Sequence, residues 1–349
     1  MISNPLLVVA CAPPPAGRRL VAGNVWVRWG MQSDDASTAD PRSLSDADWF
    51  ARIEEIGEEA GYFQWLGSSH AAFFLDESPT LIVTFETVAS IRTSQPGQLP
   101  LGYHVAKGRG WSHLCLIARE DTWYRDKAVY AFFDRLVDDA FFEDFDQVVF
   151  WGAGMAGYAA GAFSVTAPGA TVILGAPQAT LDPGIAGWDP RYLEMRRTSF
   201  TDRYGYAPDM TEGAGPVYVI FDPEQNLDAM HAALFARAHV TLLPCRNLGR
   251  DVGTTLDHMR ILPSLLAAAA TGAFDARLFR IFYRARRNYR PYLRNLLARL
   301  DQDGRVRLAA LLCRNVTARL DAPKFKSRLE ELESQLAAAG ERLPPVRRT

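Results

Sequence analysis

The chain has 349 residues, 48% of them hydrophobic and 22% charged, the balance of a soluble globular protein rather than a fibrous or disordered chain. Its longest apolar runs, such as Leu6–Ala12 and Leu265–Ala270, fall well short of the ~20 residues that span a bilayer. A formal net charge of −2 hides an asymmetry: residues 1–276 carry 20 basic and 33 acidic side chains, whereas residues 277–328 carry 15 basic and 3 acidic ones.

In chain order, residues 1–40 look unlike the rest, with the run Ile2–Ala12 broken at Pro13–Pro15 and a polar stretch at Asp34–Asp40; they read as a poorly ordered segment. A secretory signal would need a basic start and a longer apolar run, and Met31 reads as a second candidate initiator. Cys11, Cys115, Cys245 and Cys313 form no C-x-x-C pair, which argues against a zinc site and for a reducing, cytoplasmic compartment.

Ser45 caps a helix running to about Ala60, with Trp49, Ile53 and Ile56 on one face. Ser68-Ser69-His70 reads as a turn and helix cap. Buried strands follow at Leu81–Phe85, His113–Ala118, Gln147–Trp151, Ala170–Leu174, Pro216–Phe221 and Val240–Leu243. Helices are expected near Lys127–Phe142, Met155–Thr166 and Glu224–Arg237. Continuous apolar strands separated by helices mean a mostly parallel sheet covered on both faces. The fold class is α/β, doubly wound, over residues 41–272. Residues 273–349 read as a helical, basic C-terminal region with breaks near Asp301–Gly304 and Asp321–Pro323. In it Arg277, Arg280, Arg284, Arg287, Arg290 and Arg294 recur at three- and four-residue spacings, so one helix is expected to carry a guanidinium stripe. That stripe is expected to dock on the acidic body or on an acidic protein partner. A body of opposite charge balance argues against nucleic acid.

Trp151-Gly152-Ala153-Gly154-Met155-Ala156-Gly157 follows a strand and opens a helix. It satisfies the dinucleotide fingerprint G-x-G-x-x-G, but the next strand ends at Leu174 with no acid before Asp182 to hold a ribose hydroxyl. The competing reading is a nucleophile elbow, the sharp strand-to-helix turn of α/β-hydrolases. Phe150–Ala160, FWGAGMAGYAA, resembles the G-x-S-M-G-G-Y-A-A elbow of bacterial α/β-hydrolase-like proteins associated with polysaccharide export. Arg119–Tyr124 resembles that family's acidic segment ending in Trp-Tyr, Phe221-Asp222-Pro223 its acid-bearing turn, and Leu248–Val252 with Leu256 its terminal G-H-N-V-x-x-x-L. The resemblance spans about Leu81–Leu266 and implies an α/β-hydrolase-like fold.

Two of the three positions of the implied triad depart from the pattern. Gly154 stands where the resemblance implies serine, and Arg250 where it implies histidine. An arginine stays protonated and cannot serve as a base. Only the acid, Asp222, is in place, so the chain reads as a degenerate hydrolase: a pseudoenzyme with vestigial Gly154, Asp222 and Arg250. Asp222 and Arg250 are expected to form a salt bridge. Gly152, Gly154, Met155, Asp222 and Arg250 are the candidate ligand-binding residues, for a small anionic or glycan-type ligand, with no cofactor and no metal. A hydrolase or acyltransferase with displaced residues is the alternative, and His258 is the candidate replacement base. Among the remaining candidates, His113 reads as sheet packing.

Leu66–Phe74, Phe85–Arg92 and Asp222–Phe235 also resemble a group labelled phosphoadenosine phosphosulfate reductase. That oxidoreductase chemistry needs an S-G-G-x-D-S loop and a reactive C-terminal cysteine. No such loop occurs, and Cys313 lies in the apolar run Leu311-Leu312-Cys313, the setting of an inert buried thiol.

Overall fold

The computed structural model describes residues 44–345; the expectations for residues 1–40, Cys11 and Met31 lie outside the described residues. Strands β1 (Gly61–Leu66), β2 (His70–Leu75), β3 (Thr80–Thr87), β4 (Ser112–Ala118), β5 (Gln147–Ala153), β6 (Thr171–Gly175), β7 (Val217–Phe221) and β8 (Val240–Pro244) form one sheet. Their order is β1-β2-β4-β3-β5-β6-β7-β8. β1 pairs antiparallel with β2, and β2 with β4, while every later pairing is parallel. This is an α/β-hydrolase-like sheet.

The six parallel-side strands fall where their apolar runs predict them. Alternate residues of β3 feed opposite faces: Leu81, Val83 and Phe85 enter one core and Ile82 the other. Both faces are dry along the centres of β3 to β7, which is why these strands read as continuous rather than alternating.

The hairpin β1–β2 is the first departure. Ser68-Ser69-His70 is no helix cap: Gly67 takes φ 66° in the turn, and His70 opens a fully buried strand. A six-residue apolar run is too short for its periodicity to distinguish strand from helix. The helix Asp46–Ala60, capped by Ser45 as expected, packs Trp49 and Ile53 over this hairpin.

The basic region is the second departure. It is not one striped helix. Ala276–Phe282 is followed by a 3₁₀ segment, Tyr283–Asn288, and a new helix starts at Arg290. Pro291 forces that restart, since proline lacks the amide a helix interior needs and fits its first turn. Phe279 and Tyr283 close the core under the sheet. The helices Arg290–Gln302, Val306–Thr317 and Pro323–Ala338 build a core of their own around Cys313, Phe325 and Leu332. Nor does the stripe dock on acids of the body among the described residues. Arg290 donates to the Asp321 carbonyl, and no ion pair among the described residues involves Arg277, Arg280, Arg284, Arg287 or Arg294. Among the described residues, the ion pair that ties this region to the body is Arg299–Glu224 at 2.5 Å.

Candidate functional site

β5 ends in a turn of unusual backbone geometry. Gly154 has φ 58° and ψ −124°, a region that favours glycine. Its amide donates to the Gly175 carbonyl at 2.8 Å, and its own carbonyl accepts from Tyr158 at 2.9 Å, so the helix Met155–Phe163 begins directly behind it. The flanking glycines are there for space. A Cβ on Gly152 would lie 2.0 Å from the Ala156 carbonyl oxygen, and one on Gly157 would lie 3.2 Å from the Gly152 oxygen. A Cβ on Gly154 would meet nothing within 4 Å. Of these three glycines, only Gly154 has open space where a side chain would stand. Met155 is turned aside, its sulfur taking the Trp123 amide at 3.2 Å.

Asp222 follows β7 and is 1% exposed. Its two oxygens accept backbone amides, Oδ1 from Glu224 at 3.0 Å and Oδ2 from Gly249 at 2.8 Å. The expected Asp222–Arg250 salt bridge is absent: Arg250 is exposed and takes no carboxylate partner among the described residues. The reason is local. Gly249 adopts φ 90°, which aims its amide at Asp222 and leaves the next side chain pointing outward. His258, the candidate replacement base, is the exposed last residue of the helix Val252–His258.

Two clefts flank the turn. One, of about 440 Å³, is bordered by Gly154, Gln178, Arg191, Tyr192, Arg250 and Asp251. The other, of about 310 Å³, is acidic, with Glu86, Asp121, Asp251 and Asp257 beside Met155 and His258. Gly154, Arg250, Gln178 and Arg191 are thus brought together, whereas Asp222 and His258 are not part of that group.

Behind the first cleft lies an ionic network that sequence reasoning missed. Arg191 holds Asp189 through Nε and Nη2, at 3.0 and 2.7 Å, and Asp228 through Nη1 at 2.5 Å. His231 Nε2 donates to Asp189 at 3.1 Å, and its Nδ1 accepts the Ala179 amide at 3.1 Å. Burial lowers the His231 pKa, despite the pull of Asp189, so the imidazole is neutral. Burial alone would raise the Asp189 carboxyl, but hydrogen bonds from Arg191 and His231 bring it below its ordinary value. Gln178 is the other missed residue: 2% exposed, its Oε1 buried without a partner. Only the three-residue spacing of Asp228 and His231, which puts them on one helix face, was visible beforehand.

Glu86, His113 and Cys115 form a further buried cluster, with donor atoms within 4.8 Å of one another. Thr84 satisfies two of them, donating to Glu86 and meeting His113 Nε2, each at 2.9 Å. The helix Leu101–Lys107 presses on the cluster at Gly102, where a Cβ would lie 2.1 Å from His113 Nε2. His113 is thus a sheet-packing residue, as expected.

No family model matches the chain, and no curated protein does. Solved structures resemble it in fold. The HSL-homolog EstE7 from a metagenome library is 16% identical, with a TM-score of 0.40 over 67% of this chain and all of that one. Est1E from Butyrivibrio proteoclasticus is 12% identical, with a TM-score of 0.41 over 60% of this chain and 98% of that one. The esterase domain from a Rhodothermus marinus protein is 14% identical, with a TM-score of 0.38 over 60% and 96%. The sheet order and strand directions, rather than these distant likenesses, define the fold.

Proposed function

We propose that the protein is a degenerate α/β-hydrolase-like receptor that binds a small anionic, glycan-type molecule in the cleft over Gly154 and performs no acyl transfer there. The observation that carries this reading is the composition of that cleft. The turn has the elbow geometry with no side chain to attack, and an unpaired guanidinium, Arg250, stands where a base would. Losing the nucleophile or the base alone costs about a million-fold in characterised triads, so a frame lacking both has no route through an acyl-enzyme.

The same frame suits an anion. Amides at the start of the Met155–Phe163 helix favour negative charge, and Arg250 adds a full positive charge beside them. The Gln178 Oε1, buried without a partner among the described residues, can accept a hydrogen bond from a ligand hydroxyl, which accounts for an otherwise costly buried polar atom. Arg191 is committed to Asp189 and Asp228 and shapes the wall rather than supplying free charge.

Calorimetric titration with glucuronate, an acidic sugar, tests the reading against uncharged glucose. Glucuronate is expected to bind with a dissociation constant of about a millimolar or tighter, glucose more weakly, and Arg250→Ala to weaken glucuronate about tenfold. Equal binding of the two sugars, or an unchanged affinity in the variant, would overturn it.

A further inference from the structure

We propose that a second site, away from the Gly154 cleft, binds a small molecule carrying adjacent phosphoryl groups. It is a cleft of about 470 Å³ where the end of β8 meets the first turns of the C-terminal region, and it is lined by Arg246, Arg280, Arg284, Arg286 and Arg287. Among the described residues, no carboxylate lines it.

Three observations converge on an anion. First, the guanidinium groups are uncompensated. Arg246 reaches Glu224 only at 3.7 Å, and that acid is already held by Arg299 at 2.5 Å. Arg280, Arg284 and Arg287 are exposed and form no ion pair among the described residues. Like charges gathered in one concavity repel, and a bound polyanion offsets that repulsion. Second, the Tyr283 hydroxyl in the wall of this cleft is buried with no oxygen or nitrogen partner among the described residues. Its polar neighbour is the buried Cys245 thiol, a weak acceptor. Burial keeps the phenol protonated, so it remains a donor with only that weak sulfur acceptor. Third, Arg286 is positioned in advance. It donates to the Tyr283 carbonyl at 2.8 Å, and its guanidinium lies 4.4 Å from the Tyr283 ring centre and 5.8 Å from that of Tyr292.

These features also narrow the ligand. The volume fits a small molecule and not a helix or a duplex. One phosphate dianion engages one or two guanidinium forks, so a lining of five arginines matches two or more linked phosphates. Arg286 lies over the Tyr283 ring and Phe279 stacks on it, which leaves little of that ring for a base to stack on. Recognition is therefore by charge and geometry, and inorganic pyrophosphate and a nucleoside diphosphate should bind alike.

The test is calorimetry on the full chain at about 150 mM salt, where weak surface electrostatics are screened. Sodium pyrophosphate and ADP are expected to bind within about threefold of each other, and inorganic phosphate about tenfold or more weakly. Arg284→Ala and Arg287→Ala remove exposed, unpaired side chains without endangering the fold, and each should weaken pyrophosphate about tenfold. Arg277→Ala, nearby on the same segment but outside the cleft, should leave it unchanged. Arg250→Ala should also leave it unchanged, which separates this site from the Gly154 cleft. No binding of pyrophosphate at millimolar concentration would overturn the proposal. Equal losses in Arg277→Ala and Arg284→Ala would overturn it by exposing diffuse charge rather than a site. ADP binding far tighter than pyrophosphate would overturn the charge-only recognition.

Discussion

The turn at Gly154 and the network at Asp189 border the same cleft and divide between them what a hydrolase holds together. The turn has a geometry, φ 58° and ψ −124° with free space for a side chain, and carries no side chain there. The network keeps reactive residue types, a histidine bonded to an aspartate at 3.1 Å, yet both are buried, the histidine at 0% and the aspartate at 7% exposure. The comparison teaches that neither a backbone conformation nor a His–Asp pair makes a catalytic site by itself. Access and adjacency decide, and here each region has one of the two.

The largest way to break the comparison is at Arg191, the cation that holds Asp189 and Asp228 in the interior. Arg191→Met is expected to cost about 3–5 kcal/mol, because removing one partner strands buried carboxylates. Adding Asp228→Asn should recover part of that in a urea titration. A loss below about 1 kcal/mol would mean the network is solvated and open to chemistry.

A second test concerns buried groups that stay neutral instead of paired. Burial, above all, with His104 adding to it, pulls the His113 pKa down to about 3. The unfolded chain therefore takes up a proton first as pH falls, and stability is lost from about pH 6.5 toward pH 3. Between pH 7.5 and pH 5 the wild type should lose about 2 kcal/mol more than His113→Gln, which has nothing to titrate at that position. Parallel pH profiles for the two proteins would show that His113 is hydrated.

The smallest effect sharpens the contrast at the loop after β7. Asp222→Ala should cost about 2 kcal/mol through the stranded amides of Glu224 and Gly249. Arg250→Ala should stay within about 0.5 kcal/mol, as expected for an exposed side chain. A double-mutant cycle on stability should show coupling below about 0.5 kcal/mol; larger coupling would restore the salt bridge that the sequence suggested.

Much of the frame was legible beforehand because buried parallel strands announce themselves as unbroken apolar runs, and β3 to β8 do so. The turn was legible too, since three glycines at fixed spacing leave few backbone solutions. What escaped prediction depended on distant residues. The hairpin β1–β2 is recognisable only once β4 is there to pair with it. Arg191 lies in a loop, and its partner Asp228 lies 37 residues further along the chain, so no local pattern joins them. The direction of Arg250 turned on the left-handed φ of Gly249, which spacing cannot reveal. Pro291, by contrast, was a local signal that should have ended the idea of a single arginine-striped helix.

The central claim is that the frame carries no nucleophile, and fluorophosphonate labelling of the folded full chain, read by intact mass, tests it most directly. The account predicts an unmodified mass after exposure to excess probe. Stoichiometric addition at any serine, with accompanying ester turnover, would contradict it.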